Sequence, residues 1–146
     1  MVRSSVFPII AGDSNIPFGE DIPFNNLAPL TDGTITIPRP DFYDGARPEQ
    51  LDRRVREEIG PYIVPSKNLS TPALPNFFAE AKGPDGSAAV VKRQALQDGA
   101  IGERAVLYAR SHANGGAMEY DGNAYTITST YQSGTGTLTM YTVHPT

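Results

Sequence analysis

Cysteine and tryptophan are absent from this 146-residue chain, and histidine occurs only at positions 112 and 144. Without cysteine there is neither a disulfide framework nor a thiolate zinc site, and two isolated histidines do not make an imidazole one. Any metal held here is expected to be oxygen-bound. Positive charge is also short: 12 Lys and Arg face 16 Asp and Glu, a net charge of −4. The chain therefore lacks the global basic field of a protein that grips nucleic acid by bulk electrostatics. Local basic segments remain at Arg47, Arg53, Arg54 and Arg56 and at Lys82, Lys92 and Arg93, most simply read as solvated helix surface. No stretch approaches the ~20 apolar residues of a membrane span, and Val6 to Ala11 is too short and proline-broken for a secretory core. A soluble, intracellular product with no membrane partner is expected.

What the chain has in quantity is glycine and proline, 14 and 13 residues, the prolines crowded into the first half. That balance excludes a regular helical bundle, and the length suits one domain with an ordinary core. Residues 1–33 carry Pro8, Pro17, Pro23 and Pro29, so an extended arm docked by its apolar side chains is expected, with the body occupying 34–146. Thr34 to Ile37 alternates as a half-buried strand does, and continuing the parity to Asp41 gives a strand over 34–41 that Pro38 and Pro40 confine to an edge. Arg47 to Ile59 has Leu51, Val55 and Ile59 at helical spacing, with Gly60-Pro61 as its stop. A strand over 76–82 follows. Ser87 then caps a helix over 88–108 whose stripe of Ala88, Val91, Ala95, Gly99, Gly102 and Val106 permits close approach to a sheet, with a break expected at Gly99 and Gly102. Segments 124–131 and 137–144 are rich in Thr, Tyr, Ile and Val and flank Ser133-Gly134-Thr135-Gly136, a hairpin pattern. The fold class is α+β, a mixed β-sheet flanked by helices.

Chemistry concentrates at Pro40-Asp41 and Glu80-Ala81-Lys82. Period-2 alternation puts Glu80 and Lys82 on one face of their strand. If Asp41 arrives from the neighbouring strand, two carboxylates can hold a hard divalent cation while the ammonium orients or polarises a water. Chance alone supplies roughly 0.14 Glu-x-Lys matches in such a composition, so the tripeptide is weak and its setting, an apolar strand ending in a Gly-Pro-Asp-Gly turn, carries more weight. The plain alternative is an edge strand whose Glu and Lys face water. Asp44, Glu57 and Glu58 are further carboxylates, read as a solvated turn residue and helix-surface residues. His112 and His144 are read as surface or capping groups.

Several segments, among them Asn25 to Gly33, Pro40 to Gly45, Arg56 to Ser66, Pro75 to Phe78 and Lys82 to Gly86, resemble a little-characterised group of fungal proteins. Arg93-Gln94-Ala95, Asp98-Gly99-Ala100 and Tyr125 to Ser129 extend the likeness. That group in turn resembles the PD-(D/E)xK nuclease superfamily. The resemblance implies a restriction-endonuclease-like core, with Asp41, Glu80 and the Ala81 carbonyl as ligands of Mg²⁺ or Mn²⁺. It further implies that Lys82 serves the attacking water, that Gln94 lies near metal or substrate, and that nucleic acid, DNA or RNA, is the partner. The chain departs from that pattern in its proline-rich opening, the long interval from Asp41 to Glu80 and the lack of a last helix, which together suggest a shortened core. A catalytically silent protein-interaction module on the same scaffold is the competing expectation. A third is an unrelated α+β binding protein using Tyr120, Tyr125, Tyr131 and Tyr141.

Overall fold

A computed structural model describes residues 16–30, 37–68, 70–83, 87–113, 115–116 and 124–143. Five strands, β1 (Phe18–Glu20), β2 (Phe42–Ala46), β3 (Ala73–Lys82), β4 (Thr126–Gln132) and β5 (Thr137–Val143), form one sheet in the order β1-β2-β3-β4-β5. Neighbours are antiparallel except β3 and β4, which run parallel. A parallel pair needs a long crossover, and helix α2 (Ala88–Ala113) supplies it, packing on β3 and β4. Helix α1 (Arg53–Ile63) packs on α2. The α+β class and the mixed sheet are as expected.

The differences have local causes. The strand expected over 34–41 begins at Phe42 instead, residues 37–41 lying outside any strand and Thr34 to Thr36 outside the described residues. Pro38 and Pro40 cannot donate to a ladder, so pairing starts only past them. Helix α1 starts at Arg53, where Asp52 accepts the Arg54 N–H at 2.9 Å, and it runs through Gly60-Pro61 instead of stopping there. Proline restricts the residue before it through a clash with that residue's Cβ, and Gly60 has none. A short 3₁₀ turn, Pro48–Gln50, precedes it. Helix α2 is one piece of 26 residues with no break at its glycines, and Ser87 caps it, its hydroxyl accepting the Val90 N–H at 3.4 Å.

Strand β3 begins at Ala73, earlier than expected. Pro75 is tolerated because the β2–β3 ladder shifts register between Asp44 and Ala46, leaving an interruption where no donor is needed. Leu74 beside it takes φ 51°, a left-handed conformation that costs a branched residue.

The main core joins Phe24, Tyr43, Phe78 and Ile101, with Tyr43 edge-on to Phe24 at 5.0 Å and its buried hydroxyl donating to the Pro72 carbonyl at 2.9 Å. A second cluster joins Ile59, Ile63 and Ala105 with Leu51 and Val55, the α1 stripe legible in the sequence. Tyr62 and Tyr108 stack there at 3.8 Å. Residues 16–30 contain no helix: they give β1, bond Phe24 N–H to Pro38 and Ala28 N–H to Pro61, and receive Arg104 on the Ala28 carbonyl at 2.7 Å. Residues 1–15 lie outside the described set. The exposed pairs Arg53–Glu57 and Arg54–Glu58 occupy the α1 surface, as their spacing suggests, and His112 lies 2.6 Å from Glu58.

Asp44 is not a solvated turn residue: it sits in β2, 8% exposed, and burial pushes its carboxyl up to about 6. A raised carboxyl costs stability as pH rises from its unfolded value near 4 to its folded value near 6. Asp44→Asn should therefore stabilise the fold by about 1–2 kcal/mol above pH 6, the residual solvent exposure of the carboxyl screening part of the cost. Below pH 4 it should change nothing. Urea midpoints at pH 4 and pH 7 measure both, and equal shifts at the two would contradict this origin.

Candidate functional site

Phe42 pairs with Ala79 across β2 and β3, so Asp41, one residue earlier, stands opposite the charged end of β3. The Ala81 N–H donates to Asp41 Oδ2 at 2.8 Å, and the Asp41 backbone N–H donates to the Glu80 carboxyl. A strand residue directs its N–H and its carbonyl to the same edge. The Ala81 carbonyl thus faces the Asp41 side, past the last ladder pair of β2. Asp41, Glu80 and Ala81 are gathered, and Glu80 and Lys82 lie two residues apart on the continuous strand β3.

The Glu80 face of β3 meets α2. Phe78, two residues before Glu80, contacts the α2 face at Gly102 and packs with Ile101. Glu80, 3% exposed, hydrogen-bonds the carboxyl of Asp98, 2% exposed, on the helix. Gln94 lies one turn before Asp98. A cavity of about 200 Å³ is lined by Glu80, Asp98, Gln94, Gln97, Arg39, Ile37 and Pro38. Lys82 stands half-buried at the strand end, its carbonyl accepting the Ser133 N–H at 3.0 Å.

Electrostatics set the protonation of this cluster. Loss of hydration pushes Glu80 strongly up, and the Asp98 carboxyl beside it and the Asp41 charge push the same way, against the opposing Asp41 N–H. Asp98 is also raised, chiefly by burial, with its bond to Glu80 acting against that. Two carboxyls in contact and out of water cannot both ionise, so the pair retains a proton at neutral pH. Among the described residues no group of three or more Asp, Glu or His side chains could hold a metal ion. Glu80 and Asp98 bond to each other, and Asp41 Oδ2 accepts the Ala81 N–H.

Asp98 was missed by reading the sequence. Its only signal is position: it falls among Val91, Ala95 and Gly102 on the inward stripe of α2, where a carboxyl is out of place. Of the tyrosines suggested as a ligand surface, Tyr131 and Tyr141 lie on β4 and β5, Tyr125 precedes β4 under Arg110 at 4.6 Å, and Tyr120 is outside the described residues. His144 is also outside them. No helix among the described residues is long and apolar enough to cross a membrane. Set against protein-family models, curated proteins and solved structures, the chain matches none.

Proposed function

We propose that the chain is a metal-dependent phosphodiester hydrolase, or a domain derived from one, with its site at the meeting of β2, β3 and α2. The observation that carries the reading is the joint between Asp41 and the Glu80-Ala81 segment: two reciprocal hydrogen bonds bring two carboxyls and one carbonyl to a single strand end. An oxygen-only donor set of this kind suits Mg²⁺ or Mn²⁺. Asp41, Glu80 and the Ala81 carbonyl would hold the cation. Bound there, it would supply Lewis-acid stabilisation of charge developing on phosphate oxygens.

Lys82 follows on the same face and orients the attacking water. Its ammonium cannot ligate a cation, so its contribution is separable from cation binding. Gln94 offers an amide to water or to a phosphate oxygen from the helix side. Arg39 at the cavity rim gives the anionic substrate a counter-charge. Nucleic acid, DNA or RNA, is the substrate class in view, and these few cations provide local attraction without a basic surface.

Calorimetric titration with Mg²⁺ and Mn²⁺, paired with cleavage of single- and double-stranded DNA and RNA, tests this. Lys82→Ala should lower cleavage by about 100-fold or more while leaving cation affinity largely intact. Glu80→Ala should lose both. A wild-type chain that binds neither cation and cuts no substrate at low salt would refute the reading.

A second reading, a silent protein-interaction module, has its own observation. The sheet face turned away from α2 exposes Phe18, Ile127, Leu138 and Met140 around the buried Phe42 and Ala79, and apolar groups gathered on one open face suit a protein partner. That reading gains if the cation titration is flat.

A further inference from the structure

We infer that the cleft between the end of β2, the start of β3 and the C-terminal third of α2 binds an organic ammonium with an apolar body, its nitrogen seated on the Asp44 carboxyl. The cleft holds about 580 Å³, within the range of small-molecule sites, and Ile16, Leu74, Phe77, Val106 and Ala109 give it apolar walls. It shares no lining residue with the cavity at Glu80, so the inference stands apart from the hydrolase reading.

Asp44 lines this cleft at 8% exposure, and among the described residues none hydrogen-bonds or ion-pairs with its side chain. A buried carboxyl kept for structure would have such partners. Arg110, the cation on the same cleft wall, lies over the Tyr125 ring at 4.6 Å and forms no ion pair with Asp44. The counter-charge is left for a ligand to bring. Asp44 stands directly opposite Phe18 on β1 and Phe77 on β3, and aromatic neighbours on both sides favour an ammonium. One carboxyl among hydrocarbon walls cannot complete the oxygen shell of a metal ion. The cation is therefore organic, and its body fills the apolar part of the cleft.

The backbone is irregular at the same place. The β2–β3 ladder shifts register between Asp44 and Ala46, Leu74 takes φ 51°, and a Cβ at Gly45 would lie 2.5 Å from the Ala73 carbonyl oxygen. Such irregularities re-aim side chains and gather at binding sites.

Calorimetric titration of the whole chain near neutral pH with phenylbutylamine, phenylbutanol and phenylbutyrate tests the inference. The three share an apolar body and differ in the charge of the head. The amine should bind at least about 10-fold more tightly than the alcohol, and the acid should bind most weakly. Asp44→Asn, which is expected to fold more stably than the wild type above pH 6, should reduce amine affinity to that of the alcohol, so that misfolding does not account for the loss. Equal affinity of the wild type for amine and alcohol would overturn the inference, as would an amine preference that survives Asp44→Asn or no amine binding at all. Crystals of the wild type soaked in phenylbutylamine give an independent reading. A nitrogen within about 3.2 Å of an Asp44 oxygen supports the inference, and an amine found only elsewhere overturns it.

Discussion

Gly102→Ala should lower stability by about 2–3 kcal/mol, and Gly102→Leu should leave little folded protein. A Cβ at 102 would lie 2.8 Å from Phe78 Cε2, 2.8 Å from Thr126 Cγ2 and 2.9 Å from the Pro75 carbonyl oxygen. The first two could shift slightly. The third is backbone, fixed by the register interruption of β3, so α2 itself would have to lift from the sheet. Alanine improves intrinsic helix propensity by roughly 1 kcal/mol, and the predicted loss is net of that gain. Gly99 makes a milder case, because its nearest neighbour is the Val143 Cγ2 methyl at 2.5 Å, which can turn about χ1. Thermal melts should separate the two: for a chain this size ~2–3 kcal/mol corresponds to a drop of very roughly 5–10 °C. An unchanged melting temperature in Gly102→Ala would mean that α2 does not lie on β3 and β4 as described.

Stability without divalent cations should fall as pH rises above about 5, opposite to the trend of a protein held together by paired carboxylates. Glu80 and Asp98 are both raised by folding. At any pH between the unfolded and folded values, the native state binds more protons than the unfolded chain, so raising pH favours unfolding. Each retained proton gives a slope of at most about 1.4 kcal/mol per pH unit. Glu80→Gln removes one titrating group and leaves an amide able to donate to Asp98. The variant should be flatter with pH than the wild type and more stable at pH 8 in chelator. Saturating Mg²⁺ should reverse the wild-type trend, because a cation competes with the proton for the same oxygens. Urea unfolding from pH 5 to 8 in chelator measures the slope, and parallel profiles for wild type and Glu80→Gln would contradict a proton shared by the pair.

Much of this site could be read from residue order alone, because its strand half is local. Period-2 alternation places Glu80 and Lys82 on one strand, whereas Asp41 arrives at the edge of a β2–β3 pairing over Phe42–Ala46 that lies beyond the strand the patterning predicted over 34–41. The helix half could not be read the same way. Asp98 meets Glu80 only because α2 crosses β3 at Gly102, and the angle and depth of that crossing depend on side chains from β3, β4 and β5 together. Element boundaries failed where proline was taken at its usual value. Gly60 lets α1 continue through Pro61, and the interrupted ladder at Asp44 and Ala46 lets β3 absorb Pro75. In both places a neighbouring residue relieves the constraint that proline normally imposes.

The glycines that fit α2 to the sheet also bear on the order in which the molecule assembles. A helix carrying Gly99 and Gly102 near its middle is a poor candidate for early formation in isolation, since each glycine weakens propagation and nucleation is already unfavourable. The parallel pair it bridges is equally unable to form first, because closing β3 onto β4 means ordering the long intervening segment before any ladder bond repays it. Neither partner can wait for the other. Helix α2, β3 and β4 therefore condense in one step, and the carboxyl cluster, which needs all of them, comes into existence only when that step is complete.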